Sequence, residues 1–125
     1  MWELSKAFRF EAAHTLARDI DAESSRRIHG HSYRAEVTLR GTVLSSTGMI
    51  LDLGILERWL EEVRGCLDHH FLDDVPELGP ATMENLSAWI WRRLAPHTPG
   101  LTRVTVYRDS CGEACSYFGA PVPPS

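Results

Sequence analysis

His29-Gly30-His31 and the upstream Ala12-Ala13-His14 are the residues of this chain best suited to chemistry. Histidines at i and i+2 of a strand project from one face. A third imidazole at the end of a neighbouring strand can complete a three-histidine set. Zinc held by three protein ligands keeps its fourth position open, the arrangement of catalytic rather than structural zinc. A lone histidine is usually an ordinary surface or core residue, and a His-x-His pair is weak evidence by itself. Asp68-His69-His70 strengthens it. It offers a carboxylate beside an imidazole able to move protons near neutral pH. It reads equally as a polar helix C-terminus, where histidine is favoured by the helix dipole.

The elements needed to position these groups follow from periodicity. Residues 3–14 read as a strand, with Phe8, Phe10, Ala12 and His14 on its apolar face. Residues 15–28 are polar and read as a loop or irregular insertion. Residues 31–44 alternate, with Tyr33, Ala35, Val37 and Leu39 on one face, and parity extends that face back to His31 and His29. Asp52 can cap a first helix of about 15 residues with the stripe Leu53, Leu56, Leu60, Val63 and Leu67. Gly79-Pro80 breaks the chain. Thr82 can cap a second helix that buries Met83, Leu86, Ile90 and Leu94 and ends before Pro96, with Trp89 and Trp91 packing on the sheet. Residues 101–109 and 114–119 read as the last two strands, and the tail from Ala120 as loose. The order β-β-α-α-β-β predicts an α+β layer, a four-stranded antiparallel sheet with two helices on one face.

Composition narrows the classes. A chain of 125 residues is expected to form one domain, and 43% hydrophobic with 24% charged residues is an ordinary globular balance. A net charge of −4 with no basic run argues against a nucleic-acid groove. No apolar run suffices for a membrane helix, and Met1 to Lys6 hold no signal-peptide core, so a cytoplasmic location is expected. Three cysteines, Cys66, Cys111 and Cys115, do not form a paired framework and read as reduced thiols.

Several segments, in order and spanning about Leu4 to Gly119, resemble the 6-pyruvoyl-tetrahydropterin and 6-carboxytetrahydropterin synthase family. They are Phe10-Glu11-Ala12-Ala13-His14, His29-Gly30-His31-Ser32-Tyr33, Thr47-Gly48-Met49-Ile50-Leu51-Asp52, Leu67-Asp68-His69-His70, Thr82-Met83-Glu84-Asn85-Leu86 and Cys111-Gly112-Glu113-Ala114-Cys115. The likeness is greatest to the carboxytetrahydropterin branch of queuosine biosynthesis. It implies the tunnelling fold (T-fold), in which sheets of three subunits close into a barrel and two rings stack as a homo-hexamer. It implies Zn²⁺ held by His14, His29 and His31, and Asp68 with His69 facing a neighbouring subunit's zinc. It implies a pterin substrate, 7,8-dihydroneopterin triphosphate, near Thr82 and Asp109.

Two positions depart from the family pattern. Ser25 stands where the family has its catalytic cysteine, and a serine hydroxyl offers essentially no alkoxide unaided. Asp109 stands where members usually carry the glutamate that pairs with the pterin's amino-pyrimidine edge, and it is one methylene shorter. The serine leaves three readings open: the family lyase reaction carried by His69 with zinc, a repurposed lyase or cyclase acting on a related substrate, or pterin binding without turnover. A purely structural zinc protein is disfavoured by the Asp68-His69 pair and the open three-histidine site.

Overall fold

Alternation along the first strand sets the architecture. The computed structural model describes residues 1–120, so all but the first residue of the tail expected to be loose lies outside the described residues. Strand β1 (Trp2–His14) pairs antiparallel with β2 (His29–Gly41). β3 (Leu101–Arg108) and β4 (Glu113–Tyr117) complete a sheet in the order β1-β2-β3-β4. Phe8, Phe10 and Ala12 of β1, Tyr33, Ala35, Val37 and Leu39 of β2, and Val104 and Val106 of β3 turn to one face and are buried. Helices α2 (Leu53–Leu67) and α3 (Met83–Leu94) cover that face.

Both helices begin where their caps require. The Asp52 carboxylate accepts from the Gly54 N–H at 2.7 Å, and the Thr82 hydroxyl accepts from the Asn85 N–H at 3.1 Å. Leu56, Leu60, Val63 and Leu67 form the buried stripe of α2, whereas Leu53 is 48% exposed. Leu53 sits in the first turn, where it lines a surface groove with Trp2 and Met49 instead of entering the core. Trp89 is buried and donates its indole N–H to the Pro76 carbonyl, and Trp91 meets Tyr117 of β4 edge-on. Cys66 packs against the core, and His97 stacks on the Trp59 ring at the surface.

The structure adds one short helix and moves strand boundaries, among them the end of β4, at Tyr117 rather than at residue 119. The connection read as a loop contains a short helix, α1 (Ala22–Arg26), supported by a Glu23–Arg27 ion pair of 2.9 Å. Five residues are too few to show a helical period. Strand β2 stops at Gly41 rather than at residue 44, because β1 begins at Trp2 opposite Gly41 and no strand lies beyond to pair with. Strand β3 ends at Arg108, and Asp109–Cys111 tighten into a 3-10 turn before β4. At the start of β3, Gly100 has φ +84°, and a Cβ there would lie 2.4 Å from the Arg40 carbonyl oxygen, so only glycine admits this close approach.

The other face of the sheet is polar and cross-linked strand to strand. Arg40 pairs with Glu3 at 2.8 Å, Ser5 bonds Thr38 at 2.9 Å, Ser32 donates to Glu11 at 2.6 Å, and Thr105 bonds Ser116 at 2.8 Å. No described helix is long and apolar enough to cross a membrane.

Candidate metal centre and active site

The register of β1 on β2 assembles the three histidines. His14 lies directly opposite His29, and Ala12 opposite His31. Directly opposed residues of an antiparallel pair share a face. All three imidazoles therefore extend the apolar ladder of Phe10 and Tyr33 at its open end. Their ring centroids are 4.5, 4.8 and 5.0 Å apart. One nitrogen from each lies within 4.8 Å of the others, so these residues could hold a metal ion. His14 is buried, and His29 and His31 are half-buried.

Backbone carbonyls fix the tautomers. The Nδ1–H of His14 donates to the Ala81 carbonyl at 2.8 Å, and the Nδ1–H of His29 donates to the Arg27 carbonyl at 2.8 Å. A carbonyl only accepts, so in the neutral rings Nε2 carries the lone pair. Such second-partner bonds are what orient metal-ligating histidines. Burial, opposed by the Ala81 carbonyl bond, lowers the His14 pKa. Burial, then the Arg108 guanidinium and the other two imidazoles, hold His31 down to about 4. Both shifts favour the neutral, ligating form of His14 and His31.

The donor set fits a cation. The Nε2 atoms of His31 and His14 are 3.0 Å apart, and Arg108 Nη1 lies 3.3 Å from the same His31 nitrogen. If His31 Nε2 is protonated, it serves His14 and opposes Arg108. If it is not, it accepts from Arg108 while two lone pairs face each other. Either tautomer leaves one contact frustrated, and a positive ion ligated by both nitrogens removes the conflict. A cleft of about 440 Å³ opens beside the cluster, lined among others by Glu11, Gly30, His31, Ser32, His69 and His70.

A model of the family described as 6-pyruvoyl tetrahydropterin synthase matches residues 3–120. The chain belongs to the 6-pyruvoyl tetrahydropterin synthase family. It is 38% identical to the 6-carboxy-5,6,7,8-tetrahydropterin synthase of Synechocystis, over 99% of this chain and 98% of that protein. It is 32% identical to the human 6-pyruvoyl tetrahydrobiopterin synthase, over 84% of this chain and 83% of that one. Its fold matches the 6-pyruvoyl tetrahydropterin synthase of Caenorhabditis elegans with a TM-score of 0.83 at 27% identity, covering 95% and 96% of the two chains.

Asp68 and His69 stand together at the end of α2. Asp68 closes α2, and one carboxylate oxygen accepts from the Glu11 N–H at 2.9 Å. The other lies 3.0 Å from both His69 Nδ1 and Arg64 Nη2. The Glu11 N–H, the His69 bond and the Arg64 charge, outweighing desolvation, hold the Asp68 carboxyl below the usual range. His69 takes a left-handed φ of +58° and turns a 79% exposed side chain outward. Its N–H donates to the Glu11 carbonyl at 2.6 Å, which docks this segment on the free edge of β1. His70 bonds its own chain, Nδ1–H to the Asp68 carbonyl.

The remaining expected residues are placed differently. Ser25 is buried on α1, and the hydrogen bonds of the histidine cluster do not involve it. Thr82 follows Ala81, so the cap of α3 also holds the carbonyl that orients His14. Asp109 lies on the polar face, where Arg34 Nε and Nη2 grip its two oxygens at 3.0 and 3.2 Å and Arg9 approaches to 3.9 Å. The Arg34 bond holds the Asp109 carboxyl low. The residue that reaches the histidines is its neighbour Arg108. Sequence reasoning passed over it, although its parity with Val104 and Val106 places a cation at the end of an apolar face.

Proposed function

We propose that this chain is a zinc-dependent 6-carboxytetrahydropterin synthase, converting 7,8-dihydroneopterin triphosphate and water to 6-carboxy-5,6,7,8-tetrahydropterin, acetaldehyde and triphosphate. The observation that carries the reading is the set of His14, His29 and His31, the first two oriented by backbone carbonyls, in a chain alignable end to end with the Synechocystis enzyme. These three side chains would hold Zn²⁺ through their Nε2 or remaining ring nitrogens. When bound, the ion supplies Lewis acidity toward the oxygens of the substrate side chain. The protein's own residues then have proton and positioning work. His69 takes and returns protons near neutral pH. Asp68 orients His69 through the Nδ1 contact. The outward-turned, exposed side chain of His69 beside β1 suits a site shared with a neighbouring subunit. The outer edge of β4, the edge of β1 outside the stretch held by residues 68–73, and a polar uncovered face suit closure into the homo-hexameric barrel. Thr82 lies beside the pterin in this reading. Asp109 reaches the pterin edge only by exchanging its fork with Arg34 for the ligand. A cytoplasmic role in queuosine precursor synthesis completes the proposal.

A second reading, a repurposed lyase or a pterin-binding protein without turnover, is favoured by Ser25, whose hydroxyl lacks the acidity of a thiol. One experiment separates them. The zinc-loaded protein is given 7,8-dihydroneopterin triphosphate, and products are followed by mass spectrometry against a metal-stripped control. Zinc-dependent 6-carboxytetrahydropterin and acetaldehyde are expected. Binding without product would establish the second reading. Ser25→Cys is expected to raise turnover by about 100-fold where a thiol base is what the site lacks.

A further inference from the structure

Arg108 has three guanidinium nitrogens with three different fates. Nη2 is settled, 2.9 Å from a Glu113 carboxylate oxygen. Nε is buried and has no hydrogen-bond partner. Nη1 rests 3.3 Å from His31 Nε2, a nitrogen that a metal would claim. The side chain is only 17% exposed and points from the end of β3 along the face that carries Val104, Val106 and the histidines. A guanidinium stays charged at any working pH and only donates. Leaving its donors unmatched in a buried place is costly, and planar oxyanions are the acceptors its geometry suits.

We propose that Arg108 is a specificity-determining residue that donates to the anionic oxygen, enolate or carboxylate, that develops on the substrate side chain beside the histidines. This rests on reading His14, His29 and His31 as metal ligands. A ligated His31 Nε2 can no longer accept from Arg108, so Nη1 is released next to the open side of the cluster. Glu113 holds the far side of the guanidinium, partly neutralises it and keeps it from folding away. The site therefore selects a negative planar oxygen rather than a neutral hydroxyl.

The test uses cobalt in place of zinc, because visible cobalt absorption reports both metal binding and a new ligand. Acetate and, separately, inorganic triphosphate are titrated into the cobalt-loaded wild type, Arg108→Gln, Arg108→Lys and Glu113→Gln proteins. Arg108→Gln is expected to keep its cobalt spectrum and to bind acetate about 10-fold more weakly. Arg108→Lys should recover part of that loss. Glu113→Gln should bind acetate about 3-fold more tightly, since the guanidinium loses its neutralising partner. Unchanged acetate affinity in Arg108→Gln overturns the proposal, as does weakening confined to triphosphate, which would make Arg108 a phosphate reader. If Arg108→Gln does not fold, Glu113→Gln decides, and acetate affinity that is unchanged or weaker there overturns the idea. A wild type with no histidine-type cobalt spectrum would overturn the metal reading itself.

Discussion

Arg108 and Asp109 are neighbours in the chain, yet they belong to two regions that treat charge in opposite ways. On the polar face, Asp109 is held by a two-pronged Arg34, and Arg34 also stacks over Tyr107 at 3.8 Å. Arg40, Arg103 and Glu3 are likewise joined across strands, although the Arg103 Nε is itself buried without a partner. On the core face the sheet ends in three imidazoles and a guanidinium whose donors and acceptors do not all match. Satisfied pairs stabilise and specify a sheet; unsatisfied buried groups persist in natural proteins mainly where a ligand completes them. The crowding of three imidazoles and a guanidinium at one end supports the proposed metal centre there.

The largest effect should come from breaking the unsatisfied end. His29→Ala removes one of the three nitrogens and should weaken zinc binding by more than about 100-fold, read with a competing chelator. The fold should survive, because His29 is half-buried and lies beyond the apolar ladder. The next effect is on pH. His31 has a folded pKa of about 4 against an ordinary 6.5, so the unfolded chain binds more protons between those values. Stability of the metal-free protein should therefore be full above about pH 6.5 and fall as pH drops toward 4. His14 is lowered by burial and acts in the same direction. Melting temperature against pH measures this, and zinc should raise the whole curve at neutral pH but lose its effect in acid. A flat curve for the metal-free protein would contradict the neutral state of His14 and His31.

Much of both regions was legible from period two. His14 shares the parity of Phe8 and Phe10, and His29 and His31 share that of Tyr33, so strand pairing alone brings them to one face. The two helix caps were legible because Asp52 and Thr82 each precede an apolar stripe at helical spacing. The α1 turn was hidden by its brevity. Arg108 was hidden by a subtler cause. In sequence an arginine near a strand end reads as solvated, and only the register of β3 on β2, with Tyr107 opposite Arg34, brings it beside His31. The fork of Arg34 on Asp109 was equally silent, since the two are 75 residues apart.

Two capping threonine and aspartate substitutions sharpen the contrast further. Thr82→Ala and Asp52→Ala should each cost about 1 kcal/mol of stability, the usual worth of an N-cap, measured by denaturant unfolding. Only Thr82 sits beside Ala81, whose carbonyl orients His14. Thr82→Ala should therefore weaken zinc binding by about 10-fold, whereas Asp52→Ala should leave it unchanged. Equal zinc affinities in the two variants would detach the cap from the metal centre.

The smallest effect is expected at Asp109. It is half-exposed, and its partners Arg34 and Arg9 are reachable by water and salt. Exposed pairs contribute little once screened. Asp109→Asn removes the charge but keeps an oxygen able to accept from Arg34, so the melting temperature should hardly move. If the fork is purely structural, the KM for 7,8-dihydroneopterin triphosphate should stay within about 3-fold of wild type, because a lost charge-assisted contact to substrate would cost more. A larger rise in KM at unchanged zinc affinity would show that Asp109 leaves Arg34 for the ligand. The two faces of the sheet would then share the substrate: the polar face would bind the ring and the core-facing end its side chain. Arg34→Lys discriminates further. By loosening the two-pronged grip it should leave KM unchanged if Asp109 is structural, and lower it if Arg34 and the pterin compete for one carboxylate.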